Sequence, residues 1–245
     1  MTTTDGIILR RTPYLSSSVI LDVLTPSEKI PVILRGVSSG RNSAKMTETQ
    51  PGNIVNLVLA HARGDAMHVV REISPDTRHA DVSCLPPYRS AQLLFICELT
   101  ALTVKGRESG AELYDFLYQC ILSLCSQAEK YMCLRYAYQL SRLLGFAPDN
   151  AGDCSAGYFD MQSGEFSLQK PLHKYYLTPN NAALFFSLAD VQHDTNISSE
   201  EDYLKLWHIL TTYFSLHVEG FHTPRSLEFL QQLTLLEHFP REEEK

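Results

Sequence analysis

The chain has 245 residues, of which 44% are hydrophobic, and a formal net charge of −7. This length allows one large domain or two small ones, and the apolar content is typical of a chain with a folded core. No run approaches the roughly 20 apolar residues of a membrane span. The first five residues hold no basic, apolar leader, so the sequence predicts a cytoplasmic protein.

The charge is unevenly distributed along the chain. Residues 1–80 hold nine Lys or Arg and seven Asp or Glu, a formal charge of +2, so the remainder carries −9. A mildly basic first part and an acidic second part are typical of a protein with one nucleic-acid surface and one protein-facing surface.

The first eighty residues read as short β-strands separated by turns. Runs rich in Val, Ile and Leu end at Gly, Pro, Ser and Asp. Pro31 places the third run at a sheet edge or bulge. Residues 37–51 are polar and predict a mobile loop. The predicted strands are residues 4–11, 18–25, 30–36, 53–60 and 67–73. Five strands at this spacing predict a small closed barrel, an architecture that often binds single-stranded nucleic acid.

From residue 87 onward, apolar residues recur at helical spacing. A non-helical insertion at about 147–178 holds a predicted hairpin, with strands near 158–161 and 165–168 around a Ser163-Gly164 turn. The predicted helices are residues 88–102, 109–126, 129–144, 179–189, 198–217 and 224–237. The fold class is therefore α+β, with an N-terminal barrel domain at 1–80 and an all-helical domain with a hairpin insertion at 81–245.

Catalytic and metal-binding motifs are absent from the sequence. It contains no P-loop, no G-x-S-x-G and no dinucleotide fingerprint, so we predict no enzymatic activity. It contains no C-x-x-C, and its histidines are scattered. Cys97, Cys120, Cys125 and Cys133 lie in apolar helical patterns, which predicts reduced, buried thiols. We expect no metal and no cofactor.

Two groups of cations are candidates for binding. Arg10 and Arg11 are adjacent, so on a strand they face opposite ways and only one can meet a ligand. Arg35, Arg41 and Lys45 flank or occupy the predicted loop, where cations can follow a phosphate backbone or simply solubilise the surface. Tyr14 is the sole aromatic of residues 1–80, which favours electrostatic contact over base readout.

The third predicted helix carries the second group. Arg135, Tyr136 and Arg142 accompany an apolar stripe that includes Met132 and Leu140. An arginine beside an apolar groove can receive a carboxylate while the groove takes a hydrophobic side chain. The alternative is ordinary core packing with arginines that extend to solvent.

Short motifs in a characteristic order run along nearly the whole chain. In the first part they are residues 5–10, 20–25, 29–30, 35–37 and 50–51. In the second part they are residues 134–136, 140, 144–146, 216–217 and 226–230. Their order and spacing resemble the RecO family of bacterial recombination mediators, and residues 153–177 look most like members from the Bacteroides lineage.

The resemblance implies an N-terminal OB-fold that binds single- and double-stranded DNA. It also implies a helical domain that docks the acidic-hydrophobic C-terminal tail of single-stranded DNA-binding protein. The family acts with RecR, helps load RecA and anneals complementary strands. Carried onto this sequence, the resemblance gives DNA contacts at Arg10, Arg35, Arg41 and Lys45, and we predict Lys29 as a further one. It gives a tail contact at Arg135, which favours the groove interpretation of this helix over core packing, and we predict Tyr136 and Arg142 as further tail contacts.

The sequence departs from the family pattern at two places. Many members carry a four-cysteine zinc module after the central helix, where this chain has only Cys154. The segment after Gly36 is also less basic than is usual in the family, which predicts weaker DNA binding or a dependence on RecR. A protein-only scaffold whose barrel no longer binds DNA is therefore the alternative function, and an enzyme is a distant third.

Overall fold

The structure is a computed structural model. It describes residues 1–37, 43–60, 67–76, 82–105, 110–127, 129–147, 157–189 and 197–239, except for the side chains of 43–45. Contacts between Cα atoms divide the chain into a first unit, Met1–Ala128, and a second unit, Glu129–Lys245. The predicted division at residue 80 stays a prediction. Within the described residues, no helix combines the length and the apolar character needed to cross a bilayer.

The first unit begins with the predicted barrel. Its strands close in the order β1-β2-β3-β5-β4, with β4 pairing back to β1. The prediction of five strands is confirmed. Their bounds are β1 Thr2–Tyr14, β2 Ser18–Leu24, β3 Lys29–Arg35, β4 Ile54–Ala60 and β5 His68–Pro75.

Alternation along these strands builds the barrel interior. Successive side chains of a strand point to opposite faces, and the buried positions of β2 and β3 alternate with partly exposed ones. Pro31 pairs with Asp22 of β2 and lies just before the short β3–β5 ladder of Val32 and Ile33, at a position of β3 that is not paired with β5. The interior consists of Ile8, Val19, Leu21, Val23, Ile30, Val32, Leu34, Val37, Val55, Leu57, Leu59 and Val70.

The predicted loop at residues 37–51 is wrong in part, because it contains helix α1, Ser43–Glu48. A six-residue helix leaves little periodicity to detect in sequence. Its end leads to Gly52, whose φ is +87° and whose N–H donates to the Ile8 carbonyl at 2.7 Å. A five-stranded barrel in this strand order, with a helix between β3 and β4, is an OB-fold.

Two long helices, α2 Pro87–Thr103 and α3 Ala111–Ser126, belong to the same unit as the barrel. A 3-10 turn, Val82–Cys84, precedes them. Gly52 lies against Leu93 of α2, so close that a Cβ at this glycine would be 2.6 Å from the leucine side chain. Helix α2 therefore packs directly against the backbone that connects α1 to β4.

The second unit holds α4 Met132–Leu143, α5 Pro179–Phe186, α6 Glu200–His217 and α7 Ser226–His238. A 3-10 turn, Ser187–Ala189, extends α5. Ser199 caps α6, since its hydroxyl accepts the Asp202 N–H at 3.1 Å. These helices match the predicted ones to within a few residues.

A three-stranded sheet in the order β7-β6-β8 interrupts the helices of the second unit. The predicted hairpin is confirmed as β6 Tyr158–Asp160 paired with β7 Glu165–Ser167. The third strand, β8 Tyr176–Leu177, was not predicted, because two residues carry no readable alternation. Phe159 of β6 is fully buried and contacts Phe186 of α5 at 5.2 Å between ring centroids, so the sheet shares its core with the helices.

Candidate nucleic-acid interface and partner site

Strand register places three of the predicted cations of the barrel on one outer surface. Arg10 of β1 pairs with Asp22 of β2, which in turn pairs with Pro31 of β3. Paired residues share a face of the sheet. The side chains at these positions, and those at every second position along the three strands, therefore lie together outside the barrel. This surface, here called the β1–β3 face, consists of Arg10, Thr12, Tyr14, Ser18, Ile20, Asp22, Lys29, Pro31, Ile33 and Arg35.

A β-bulge in β1 decides which arginine reaches this face. Ile8 pairs with Val23 and Arg10 pairs with Asp22, so Leu9 is the extra residue. A bulge of one residue reverses the alternation that follows it. Arg10 therefore points outward while Arg11, opposite the interior residue Leu21, points to the other side, which confirms that the two arginines face opposite ways.

Arg10 is exposed but not free. Its Nε and Nη2 atoms each lie 2.8 Å from Oδ2 of Asp22, and 59% of its side chain remains accessible. Arginine has five N–H donors, so the pair leaves donors for a phosphate while Asp22 cancels much of the charge. The structure thus places Arg10 on the candidate interface with an acidic neighbour.

Lys29 lies on the same face with its ammonium turned to the protein. Its Nζ donates to the Ala101 carbonyl of α2 at 2.8 Å. Burial lowers the pKa of Lys29, nearby Asp22 acts in the opposite direction, and Arg10 adds to the lowering. Lys29 therefore contributes positive potential to the surface, but its ammonium is committed to a bond within the first unit.

Arg35 is the exposed cation at the end of the face. It lies opposite Ser18 and, within the described residues, no ion pair engages it. Arg41 lies outside the described residues. Lys45 lies on α1, and its side chain is likewise not described. Of the five predicted DNA contacts, the structure brings Arg10, Lys29 and Arg35 to one face.

The turn between β1 and β2 adds Leu15, an exposed apolar residue that the sequence did not single out, next to Tyr14. Leu15 has a φ of +54° and is 77% exposed, and Tyr14 beside it is 41% exposed. The local sequence carries no pattern that predicts this feature. Only the backbone geometry shows that Leu15 is exposed at the tip of the turn. OB-folds bind oligonucleotides with the β2–β3 surface and with this turn.

The second candidate site is on α4. The Nη2 atom of Arg135 forms an ion pair with a carboxylate oxygen of Glu129, and only 16% of the Arg135 side chain is accessible. Its Nε is buried and, within the described part of the chain, has no hydrogen-bond partner. The guanidinium is therefore held in a partly dry environment with one carboxylate already bound.

The other two predicted tail contacts separate in the structure. Tyr136 is 2% exposed and belongs to the core, so it can only support the site from inside. Arg142 is exposed in the last turn of α4. Cys154 lies outside the described residues, and the residues that are described include no cluster of His, Cys, Asp or Glu placed to hold a metal.

A closed OB barrel with a partly basic outer face, continued by helices, is an architecture of nucleic-acid-binding proteins. Comparison with known families shows which family of nucleic-acid-binding proteins this is. Residues 1–76 match the family model for the N-terminal part of recombination protein O, and residues 87–227 match the model for its C-terminal part. The chain belongs to the RecO family of DNA repair and recombination proteins, which confirms the resemblance found in the sequence.

Individual relatives cover nearly the full chain. The DNA repair protein RecO of Flavobacterium psychrophilum is 26% identical over 241 residues, which is 94% of this chain and 98% of the relative. The protein of the same name from Bacteroides fragilis is 25% identical over 238 residues, with the same coverage. The similarity therefore extends through both units and connects the chain with DNA repair.

Proposed function

We propose that this protein is a recombination mediator that binds single- and double-stranded DNA through the β1–β3 face. It docks the acidic tail of single-stranded DNA-binding protein on α4, acts with RecR to load RecA, and anneals complementary strands. It works in the cytoplasm and catalyses no covalent step. Family membership supports the repair role.

The alignment of Arg10, Lys29 and Arg35 on one OB surface is the observation that carries the DNA-binding proposal. Lys and Arg side chains gain affinity by neutralising phosphates and releasing counterions. With Tyr14 as the single aromatic residue on this face, stacking contributes little and the binding is sequence-tolerant.

Tail docking would raise the local concentration of exposed DNA at the barrel. Arg135 offers a guanidinium in a partly desolvated setting, where a carboxylate is bound more strongly than at an open surface. A tethered strand then meets the β1–β3 face at an effective concentration set by the linker. Weak DNA contacts suffice under that arrangement.

The test is a titration of fluorescently labelled single strands at several salt concentrations. Arg35→Ala should weaken binding and reduce the slope of log affinity against log salt by about 0.7 for one lost phosphate contact on a single strand. Asp22→Asn should strengthen binding, because it removes the carboxylate that holds Arg10. Lys105→Ala, an exposed cation after α2, is the matched control and should leave the slope unchanged.

The protein-only scaffold is the alternative, and two contacts favour it. Arg10 is paired with Asp22, and Lys29 donates to a backbone carbonyl. If labelled single and double strands fail to shift at low salt, both alone and with RecR, the scaffold function replaces DNA binding. An unchanged salt slope in Arg35→Ala would instead remove this residue from the interface.

A further inference from the structure

The turn between β1 and β2 presents a leucine in a strained backbone conformation. Leu15 is largely exposed and is the one non-glycine residue with a positive φ among those that the structure describes. This left-handed conformation is unfavourable for an L-residue with a bulky side chain, and turns normally place glycine or asparagine there. Because most of its side chain is exposed, Leu15 gains little packing that could offset the strain.

The base of this turn is anchored to the barrel. Tyr14 pairs with Ser18 across the β1–β2 ladder, and Ser18 pairs with Arg35 of β3. The Val37 N–H donates to the Ser17 carbonyl at 2.9 Å, and the side chain of Val37 belongs to the barrel interior. The chain that leaves β3 therefore supports the turn, and the barrel sets the position of the exposed leucine.

The residues next to the leucine suit a DNA backbone. Tyr14, Ser18 and Arg35 form one row across three strands, so that the two ends of the row are about 10 Å apart at the usual strand spacing. Arg35 is exposed, and no ion pair engages it within the described residues. The acid of this face, Asp22, lies four residues further along β2 and pairs with Arg10. A cation, a hydroxyl and an aromatic ring thus lie beside the turn.

We propose that Leu15 inserts between two stacked base pairs of bound duplex DNA while Arg35 contacts a phosphate beside the opened step. Inserted aliphatic side chains unstack base steps and kink the duplex in other DNA-binding proteins. Pyrimidine–purine steps such as TA are the most easily opened, so the insertion occurs preferentially at them. The insertion presupposes the proposed binding of duplex DNA by the β1–β3 face and adds how the duplex is deformed.

A protein partner fits this turn less well than DNA. Protein docking sites are usually contiguous apolar patches, but Leu15 is followed by three serines at residues 16–18. A single strand also fits less well, because its bases stack best on aromatic rings, whereas an inserted aliphatic side chain acts on a duplex.

The experiment uses the full chain and a short duplex with 2-aminopurine beside one central TA step. The fluorescence of 2-aminopurine rises when the base is unstacked. Saturating wild-type protein should raise it, and Leu15→Gly should lose most of the rise while anisotropy still reports a bound duplex, since Arg35 is retained. Leu168→Gly is the matched control, because Leu168 is 83% exposed in the second unit, and it should keep the full rise.

Thermal unfolding separates insertion from a structural role of the leucine. Glycine adopts a φ of +54° without strain, so Leu15→Gly should be at least as stable as wild type. Leu15→Asn, which also tolerates this conformation, should lose the fluorescence rise in the same way. A lower midpoint in both variants would assign the leucine to the fold and overturn the insertion.

The outcomes distinguish the insertion from DNA binding itself. A rise that persists in Leu15→Gly, or a wild-type complex that forms without a rise, would overturn the insertion and leave duplex binding in place. A loss seen only with 2-aminopurine single strands would also overturn it and make Leu15 a contact to unpaired bases. Failure of wild type to bind any DNA, alone and with RecR, would remove the proposed function and the insertion together.

Discussion

Asp160 and His173 form a side-chain pair that connects two parts of the non-helical segment of the second unit. Nε2 of His173 lies 3.0 Å from Oδ2 of Asp160, and Nδ1 of His173 accepts the Tyr175 N–H at 3.2 Å. The other carboxylate oxygen of Asp160 accepts the N–H groups of Gln162 and Ser163. This cluster joins the end of β6 to the approach to β8.

Removing the Asp160 carboxylate should destabilise the second unit. Asp160→Ala loses bonds to His173, Gln162 and Ser163, and the expected cost is about 1–3 kcal/mol, typical for a hydrogen-bonded charged group. Urea unfolding followed by the fluorescence of Trp207, the sole tryptophan and a buried one, reports on this unit. Glu165→Ala, an exposed acid in the same hairpin, is the control; equal midpoints for both variants would show that the cluster contributes nothing.

The same carboxylate should make stability depend on acid pH. Partial burial acts to raise the pKa of Asp160, but hydrogen bonds from Gln162, His173 and Ser163 outweigh it and the pKa is lowered. A carboxyl with a lowered pKa stabilises the fold fully above its unfolded value of about 3.9, and this stabilisation is lost as pH falls through the lowered pKa.

The difference in unfolding free energy between wild type and Asp160→Asn is the quantity to measure. Below about pH 5 it should shrink as the carboxyl is protonated around and below its unfolded value near 3.9. A difference that stays constant from pH 5 to pH 3, or one that grows over this interval, would contradict the assignment of charge to Asp160.

Gly52 should tolerate substitution less well than Gly36. Its φ of +87° costs an L-residue about 1–2 kcal/mol, and an added Cβ would meet Leu93 at 2.6 Å. Gly36 has a φ of +75° and, among the described residues, no atom within 4 Å of such a Cβ. Thermal unfolding followed by circular dichroism should show a larger loss for Gly52→Ala than for Gly36→Ala. Equal losses would mean that Leu93 moves aside without cost.

Much of the fold could be predicted from local sequence patterns, because strands and helices leave an alternating or a helical spacing of apolar residues in the sequence. The strands of the barrel, the long helices and the hairpin around Ser163-Gly164 follow from periodicity and turn residues. Helix α1 and strand β8 are too short to carry a period. The family resemblance supplied the OB identity, and the strand order agrees with it.

Whether the site residues are paired or buried depends on tertiary contacts that local sequence patterns do not predict. Asp22 is twelve positions from Arg10, and the two meet only because the bulge at Leu9 sets the β1–β2 register. The sequence identified the cations but not the groups that they contact. The contact between Lys29 and Ala101 spans 72 positions and requires the docking of α2 on the barrel. Burial and pairing are tertiary properties, so the sequence overstated how free these cations are.

Glu129 should compete with the partner tail for Arg135. Its carboxylate already forms an ion pair with the guanidinium, in the position that a tail carboxylate would need. Glu129→Gln keeps a hydrogen-bond acceptor but removes the charge. If Arg135 receives the tail, this variant should bind an acidic tail peptide about threefold or more tightly, since a partly exposed ion pair is worth up to about 1 kcal/mol.

The control separates this competition from general electrostatics. Glu165→Gln removes an equal charge from an exposed position of the same unit, and long-range repulsion at physiological salt is screened within about 8 Å. Its affinity for the peptide, measured by fluorescence anisotropy, should therefore match that of wild type. Arg135→Ala should weaken binding whether Glu129 is present or not, and the gain from Glu129→Gln should vanish in the double variant. A gain that persists without Arg135 would show that Glu129 acts on the peptide by another route.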